Sequence, residues 1–475
     1  TPYLAADKTV RAGDTVGDVT GVIDFGPATA SASGTLSYKI HPLSAPLITR
    51  SNLRTAAPPP VGGNVRVASS NVLNFFTTFT NGDTADGLSG QSCLSGCRGA
   101  DNLIEFNRQR TKILASLVAL NADVVALMEI QNNGNTAVNN LVQGLNGLMG
   151  AGTYASAPLP PTTGTDAIRL ALIYKPAKVA PYGPALSDAD PVNNRPTFAQ
   201  GFAAPNGERF AVMVNHLKSK GCGGASGANA DQGDLQGCFN AQRKDQAQRL
   251  LTWLPVVKAA AQTEDVLLLG DFNAYAKEDP IDILTGSGLI ADLLTADDYS
   301  YVFDAFAGRL DHGLGTVSIK PKVAGAQSWH INADEPELID YNTDGKSVDY
   351  YTATAYRSSD HDPLILGLNL FKALKGTAGR DTLIGTPGDD LIEGGAGADS
   401  LTGGAGSDQF IYSSLLDGGD TINDFVVGTD LLVFTQLLQA AGIVSADPLA
   451  SGHVTCTAAA GSAMIGIDTD GAGPL

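Results

Sequence analysis

Between residues 64 and 370 the chain alternates short apolar runs with amphipathic stretches. "NVRVASSNVL" alternates Val65, Val67 and Ser69 with the two-residue period of a strand. "ADVVALMEI" reads as a buried strand ending at Glu129, and "RLALIYKP", "RFAVMVNHLKS", "DVLLLGDFNA", "SVDYYTATAY" and "LILGLNL" predict further strands. "NLIEFNRQRTKILASLVAL" instead places Ile104, Ile113, Leu114, Leu117 and Val118 at helical spacing, and "FNAQRKDQAQRLLTWLPVVKAAAQ" predicts a second helix. Strands mixed with helices imply an α/β domain of sheets flanked by helices. The intervening loops are long and rich in Gly and Asn, which suits functional loops.

The two ends follow other patterns. Residues 1–57 carry short alternating runs, "TVGDVTGVIDF" and "GTLSYKI", that predict small β-strands, and the Pro/Gly linker "TAAPPPVGG" closes them. Residues 376–411 repeat every nine residues as GTAGRDTLI, GTPGDDLIE, GGAGADSLT and GGAGSDQFI. The sixth position is always Asp (Asp381, Asp390, Asp399, Asp408), and the first and fourth are always Gly. The eighth is apolar: Leu383, then Leu391 shifted one place beside Ile392, Leu401 and Phe410. Glycines permit tight turns, carbonyls and Asp carboxylates suit Ca²⁺ between successive turns, and the apolar position fills a thin core. Three segments are expected: 1–57, 62–370 and 376–475.

Composition adds three constraints. A chain of 475 residues exceeds one core. No run of about 18 apolar residues exists, so no membrane span is expected, and no signal peptide is visible at the start. The net charge of −19 is uneven, because residues 376–475 hold one basic residue, Arg380, against 13 acidic ones. A tail that acidic binds cations or stays unfolded. The five cysteines include two close pairs in polar loops, Cys93 with Cys97 and Cys222 with Cys238. They read as two local disulfides of an oxidising compartment, with free thiols as the alternative and Cys456 left over.

Chemistry-bearing residues cluster at the predicted strand ends: Asn71, Glu129, His216, Asp271 with Asn273, Asp311, and Asp360 with His361. In "LLLGDFNA" a buried run leads directly into Asp-x-Asn, which is how α/β proteins place oxygen ligands at a strand's carboxyl end. In "RSSDHDP" a histidine stands between two carboxylates just before a strand.

Together, "SSNVLNF", "VVALMEIQ", "VNHLKS", "LLGDFNA", "GRLDHGL" and "SSDHDPLI" resemble, in order, the motifs of the endonuclease/exonuclease/phosphatase superfamily. "CRGADNLIEFNRQRTKI" and "WHINADEPELIDYN" are similar to segments of the secreted bacterial ExeM/NucH-type nucleases. The repeats with "GGDTINDFVVGTDLLVF" resemble RTX-type substrates of type I secretion, and residues 1–57 resemble a remnant of an OB-like segment.

The resemblance implies a DNase I-like four-layer α/β/β/α sandwich, a small N-terminal β segment and a C-terminal parallel β-roll. It implies a secreted, sequence-nonspecific nuclease acting on extracellular DNA, with RNA as a further substrate and no membrane insertion. Asn71, Glu129 and Asp360 would hold Mg²⁺ or Mn²⁺. His361 would be the general base, with Asp311 orienting it as a triad aspartate does. Asp271 and Asn273 would position phosphate and water, and His216 would contact phosphate.

One departure stands out: many members carry a Tyr just before the strand equivalent to "LALIYKP", and this chain does not. Arg169 and Lys218 are carried as phosphate contacts. Arg108, Arg110, Lys112, Lys220, Arg243, Lys244 and Arg249 are further candidates for DNA contact. Two alternatives remain open. One is another phosphoesterase of the superfamily, a phosphatase or a sphingomyelinase, although the aromatic hairpin a lipid substrate calls for is not evident in the sequence. The other is a noncatalytic calcium-binding surface protein.

Overall fold

The apolar runs fold into two six-stranded sheets. In the first, the strands run Val323–Ser328, Leu364–Leu368, Val65–Phe75, Val124–Gln131, Ile168–Tyr174 and Ala155–Ser156. In the second they run Ile290–Asp292, Asp311–Thr316, Val266–Asp271, Arg209–His216, Thr197–Ala203 and Ala180–Asp188. The computed structural model describes residues 9–27, 36–86, 96–304, 306–346, 348–459 and 462–473.

Every residue of Val266–Asp271 and Leu364–Leu368 is buried, as expected of strands covered on both faces. Helices Leu103–Leu120 and Thr136–Met149 pack Phe106, Leu117, Leu141 and Leu145 on Val125, Leu127 and Ile173 of the first sheet. Asn240–Ala261 and Asp279–Gly286 pack Leu250, Trp253, Leu254 and Leu284 on Met213, Leu268 and Leu314 of the second. Each such side chain contributes about 1.5–3 kcal/mol of burial. The inner faces meet across the middle, where the Tyr174 and Phe202 rings lie 5.8 Å apart. The result is the four-layer α/β/β/α sandwich.

Local signals explain much of this. Asn102 caps the first helix, its Oδ1 accepting from the N–H groups of Ile104 and Glu105 at 2.9 and 3.1 Å, and Asn121 ends it at φ 45°. Two expectations need correction or completion. "SVDYYTATAY" is not a strand over its described residues: the Asp349 carboxylate accepts from the Tyr351 N–H (3.1 Å) and the Arg108 guanidinium lies over the Tyr351 ring, so turn chemistry outweighs β-propensity. Helix Thr136–Met149 was not read from the sequence, because two glycines and three asparagines mask the buried spacing Ala137, Val138, Leu141, Leu145.

The chain divides into two units, Thr1–Ala203 with Arg209–Asn369 and Leu370–Leu475 with Ala204–Glu208. The N-terminal segment belongs to the first. Arg54 donates to both carboxylate oxygens of Glu335 at 2.7 Å, and the Trp329 indole donates to Thr55 Oγ1 at 2.8 Å. Strands Gly21–Pro27 and Leu36–Pro42 pair as an antiparallel hairpin. Ile23, Phe25, Leu36, Tyr38 and Ile40 fall on one of its faces and are more than half exposed. An exposed apolar hairpin is therefore present although the sequence did not reveal it. Cys222 and Cys238 form a disulfide, whose loop predicts about 3 kcal/mol of stabilisation. The expected Cys93–Cys97 pairing falls on Cys93, outside the described residues, and Cys456 is free and exposed.

The second unit opens with a parallel β-roll, followed by helix Thr435–Ala440 and an antiparallel hairpin, Val454–Ala459 with Ser462–Ile467. Strands Lys372–Lys375, Asp390–Glu393, Gln409–Ile411 and Leu431–Val433 form one sheet, and Thr382–Ile384, Ser400–Thr402 and Thr421–Ile422 the other. Ile392, Leu401 and Phe410 are buried between them, and Leu374, Leu383 and Ile422 pack against these three, partly buried. In the second repeat it is Ile392, not Leu391, that faces this core.

Candidate active site

Strand register builds half of the site. His216 lies opposite Asp271 in the parallel pair of central strands, and Asp271 lies opposite Asp311 in the next, antiparallel pair. Three polar side chains thus stand abreast at one end of the second sheet. Asn71 lies in the second half of its strand in the first sheet, just before the bulge, and Asp360 and His361 stand a few residues ahead of Leu364–Leu368. A bulge on each of two neighbouring strands interrupts the ladder between Asn71 and Phe75 and between Leu127 and Ile130. There Leu73, Asn74 and Glu129 adopt φ of 51°, 49° and 64°. Such bulges re-aim side chains beside functional sites. Here the bulge brings Glu129 to Asn71, whose Nδ2 donates to Glu129 Oε1 at 3.3 Å, while the Asn74 N–H donates to Oε2 at 2.8 Å.

His361 is buried, with its Nδ1 2.6 Å from Asp311 Oδ2. Its Nε2 lies 3.8 Å from Asp271 Oδ2, and the Nε2 of His216 lies 3.4 Å from the same oxygen. Ser300 Oγ donates to Asp311 Oδ2 at 2.8 Å and accepts the Asp311 N–H at 3.0 Å, which fixes the carboxylate. The Tyr301 ring lies against His361, centroids 4.6 Å apart. Asn273, at φ 47°, donates its N–H to Asp271 Oδ1 at 2.8 Å and its Nδ2 to the Leu217 carbonyl at 3.2 Å. Asp362 points elsewhere. Its Oδ1 accepts from the N–H groups of Ile331, Asn332 and Ala333, and its Oδ2 pairs with His330 Nδ1 at 3.0 Å. Asn332 in turn donates to the His361 carbonyl at 2.7 Å, so the "WHINADEP" loop braces "RSSDHDP".

The electrostatics are those of buried carboxylates in excess. Burial, and then the Asp360 carboxylate, push Glu129 up. Burial pushes Asp271 up to about 7, with the His361 charge opposing and Asp311 adding. Burial alone would lower His361, but Asp311, Asp271 and Asp360 outweigh it and hold the imidazolium well above its ordinary range. His216 moves the other way: burial, then the Arg195 charge, then His361 and Arg98, hold it neutral. Its Nδ1 is buried without a partner. Glu129, Asp360 and Asn71 present the oxygen donors a hard divalent cation takes. Burial is the first cause of that rise and the Asp360 charge the second, and a cation held there would offset it. The residues fit a divalent metal.

The expected phosphate contacts separate. Lys218 is half-buried, with Nζ 4.4 Å from the Phe239 ring centroid. Arg169 is corrected: it is 3% exposed and donates to the carbonyls of Leu170 (2.8 Å) and Gly134 (2.6 Å) and to Asn135 Oδ1, so it braces backbone instead of facing substrate. All seven of the other basic candidates also have internal partners. Lys112 donates to the Tyr356 carbonyl, Lys220 pairs with Glu278, Arg243 binds carbonyls at 236, 238 and 218, Lys244 pairs with Asp279, and Arg249 pairs with Asp188. Arg108 pairs with Asp349, and Arg110 donates to Asn140.

Sequence reading missed Ser300, Tyr301 and the cations beside His216. Arg195 donates to the Leu217 carbonyl at 2.9 Å and pairs with Asp166 at 3.1 Å, and Arg98 reaches the same Asp166 at 3.9 Å. Nothing local in "YSY" or "NNRP" marks these residues, since only the tertiary pairing does. Apart from this site, Asp101, Glu105 and Asp344 bring carboxylate oxygens within 4.8 Å of one another, with Glu105 Oε1 accepting from Thr343. In the roll, Asp390, Asp399 and Asp408 are buried and Asp381 is half-buried, each at the start of a strand or immediately before one.

Residues 68–361, more than half of the chain, match the Endonuclease/Exonuclease/phosphatase family. The chain belongs to that family. Residues 375–410 match four copies of the RTX calcium-binding nonapeptide repeat. No curated protein matches the chain. Among solved structures it is similar to the mannosyl-6-phosphatase Bt3783 of Bacteroides thetaiotaomicron VPI-5482, at 13% identity and TM-score 0.40 over 64% of this chain and 99% of that one. It is also similar to the human Nocturnin catalytic domain with bound sulfate anion, at 17% identity and TM-score 0.38 over 64% and 93%. A third is D. rerio TDP2 complexed with single strand DNA product, at 14% identity and TM-score 0.38 over 64% and 97%. As an endonuclease/exonuclease/phosphatase member, the chain is a phosphoesterase that uses a divalent metal, joined to calcium-binding repeats. No helix among the described residues is long and apolar enough to cross a membrane.

Proposed function

We propose that this protein is a secreted, Mg²⁺- or Mn²⁺-dependent nuclease of the ExeM/NucH type that hydrolyses extracellular DNA without sequence preference. The observation that carries the mechanism is the buried 2.6 Å contact between His361 Nδ1 and Asp311, which orients Nε2 into a cluster of carboxylates. A water attacks phosphorus, its proton passes to Nε2 of His361 in its neutral form, which cation charge beside Asp360 would favour over the imidazolium, and the P–O bond to the leaving oxygen breaks. Asp311 holds the ring and stabilises its charged form. Asp271 and Asn273 orient the water, and neutral His216 holds a phosphate oxygen. Asn71, Glu129 and Asp360 would hold the metal, which when bound neutralises the phosphate and the leaving oxyanion. Lys218, with Arg98 beside His216, supplies backbone contacts, and contacts to phosphate alone give no sequence preference. The acidic repeats fit export by a type I machinery, with calcium folding them outside the cell.

A second reading has one feature in its favour. The exposed apolar face of Ile23, Phe25, Leu36, Tyr38 and Ile40 suits a lipid phosphodiesterase such as a sphingomyelinase. Hydrolysis of DNA, RNA and sphingomyelin vesicles, assayed side by side with Mg²⁺ or Mn²⁺, separates the two. DNA cleavage with intact sphingomyelin is expected, and the reverse installs the lipid reading.

A further inference from the structure

The family match begins at residue 68, yet the segment before it buries side chains against the loop that braces the catalytic histidine. Thr9 and Arg11 are 3% and 5% exposed. Arg11 spreads its guanidinium over several partners at once. One terminal nitrogen donates to the His330 carbonyl at 2.6 Å, the other donates to the Asn52 carbonyl at 2.9 Å, and Nε lies 2.8 Å from Glu335 Oε1. Asp334 Oδ2 stands 3.5 Å from the same guanidinium and accepts from Asn52 Nδ2 at 2.7 Å. The Ala12 N–H donates to the Asp334 carbonyl at 2.9 Å, and Arg54 holds both carboxylate oxygens of Glu335. Asp334 and Glu335 are themselves buried. A buried carboxylate stripped of its cation destabilises the loop that carries it, and here the cations come from the N-terminal segment.

The same loop holds both members of the catalytic pair. Asn332 donates to the His361 carbonyl at 2.7 Å, and its Oδ1 accepts the Ser358 N–H at 2.8 Å. Asp362, the next residue after His361, is bound by the N–H groups of Ile331, Asn332 and Ala333 and by His330. On the Asp311 side, the Tyr299 hydroxyl donates to Asp334 Oδ2 at 2.9 Å. Its ring stacks on His330, centroids 3.9 Å apart and planes 6° from parallel. The following residue, Ser300, donates to Asp311 Oδ2, and its carbonyl accepts the Asp362 N–H at 2.8 Å. Arg11 therefore stands at the start of two short chains of contacts. One runs through His330 and Asn332 to His361, and the other through Asp334, Tyr299 and Ser300 to Asp311.

We propose that Arg11 is a positioning residue of the active site: by clamping residues 330–335 it sets the contact between His361 and Asp311, and the N-terminal segment is thereby part of the catalytic apparatus. The proposal rests on the reading of His361 as base and Asp311 as the carboxylate that orients it. A base has to be held close to its productive geometry, since a displacement of about 1 Å costs about 10²-fold in rate. A lysine could replace the charge of Arg11 but not its fork, which reaches a carbonyl and a carboxylate together.

The test reads that contact directly, in the full chain with Mg²⁺. The proton between His361 Nδ1 and Asp311 is expected to give a downfield line in the ¹H NMR spectrum, assigned by its absence in His361→Ala. Arg11→Met should displace or abolish this line and lower kcat for DNA cleavage by about 10- to 100-fold, with KM within about threefold of wild type. Arg11→Lys should recover part of both. A line at the wild-type position that merely weakens along with all other folded signals is what a purely structural role gives, and it overturns the proposal, as does wild-type kcat in Arg11→Met. If Arg11→Met shows no cooperative melt, Arg11→Lys decides: a displaced line with lowered kcat supports the proposal, and an undisplaced line overturns it. A wild type that shows the line but cleaves no DNA sinks the nuclease reading separately, and the position of the line in the variants still decides the role of Arg11.

Discussion

His361 has an acidic neighbour on each side in sequence, yet the carboxylate that holds its ring comes from fifty residues earlier. Asp362 is engaged by three backbone N–H groups and His330, which turns it into a brace for the loop. The distinction has a direct consequence. Asp311→Asn keeps the shape but reverses the tautomer preference of His361. The rate of phosphodiester cleavage should fall by about 10³–10⁴-fold with little change in KM. A variant within about threefold of wild type would assign His361 another partner. At this scale the residues that end buried strands were legible, because Asp271 and Asn273 directly follow an apolar run. Ser300, Tyr301 and Arg195 were not, because their roles come from strands and loops distant in the chain. Arg169 misled for a related reason, since sequence cannot tell a cation that faces substrate from one that holds carbonyls.

At the scale of elements, long apolar strands announced themselves and irregular ones did not. Thr136–Met149 hides its buried face among Asn and Gly, and "SVDYYTATAY" offers β-prone residues that Asp349 and Arg108 hold in turns. The helix Leu103–Leu120 shows how a charged residue can serve packing. Lys112 is fully buried and donates to the Tyr356 carbonyl at 2.7 Å, and burial lowers its pKa from 10.5 to about 7 despite the nearby Asp340 and Glu335. Because the folded state holds this proton less tightly than the unfolded one, Lys112 disfavours folding most below about 7, and the penalty fades as pH rises toward 10.5. Thermal melts from pH 6 to about pH 9 should therefore rise more steeply for wild type than for Lys112→Met. Parallel curves would mean that the ammonium stays charged in place.

At the scale of the molecule, one unit supplies a phosphoesterase sandwich and the other a roll of calcium-binding repeats. Both architectures were legible because each rests on a repeated pattern: buried strands ending in polar residues in one, and a nine-residue period in the other. The exposed apolar hairpin was less visible, since Ile23, Phe25, Tyr38 and Ile40 share a face only once the strands pair. The activity proposed for this protein is metal-dependent DNA hydrolysis through His361. Its most direct test is digestion of circular and linearised plasmid DNA with Mg²⁺ or Mn²⁺, with and without EDTA, by wild type and His361→Ala. Wild type should degrade DNA only with metal, with no preferred cleavage sites, and His361→Ala should be slower by about 10²-fold or more. Survival of both DNA forms in every metal, or wild-type rates in His361→Ala, would contradict it.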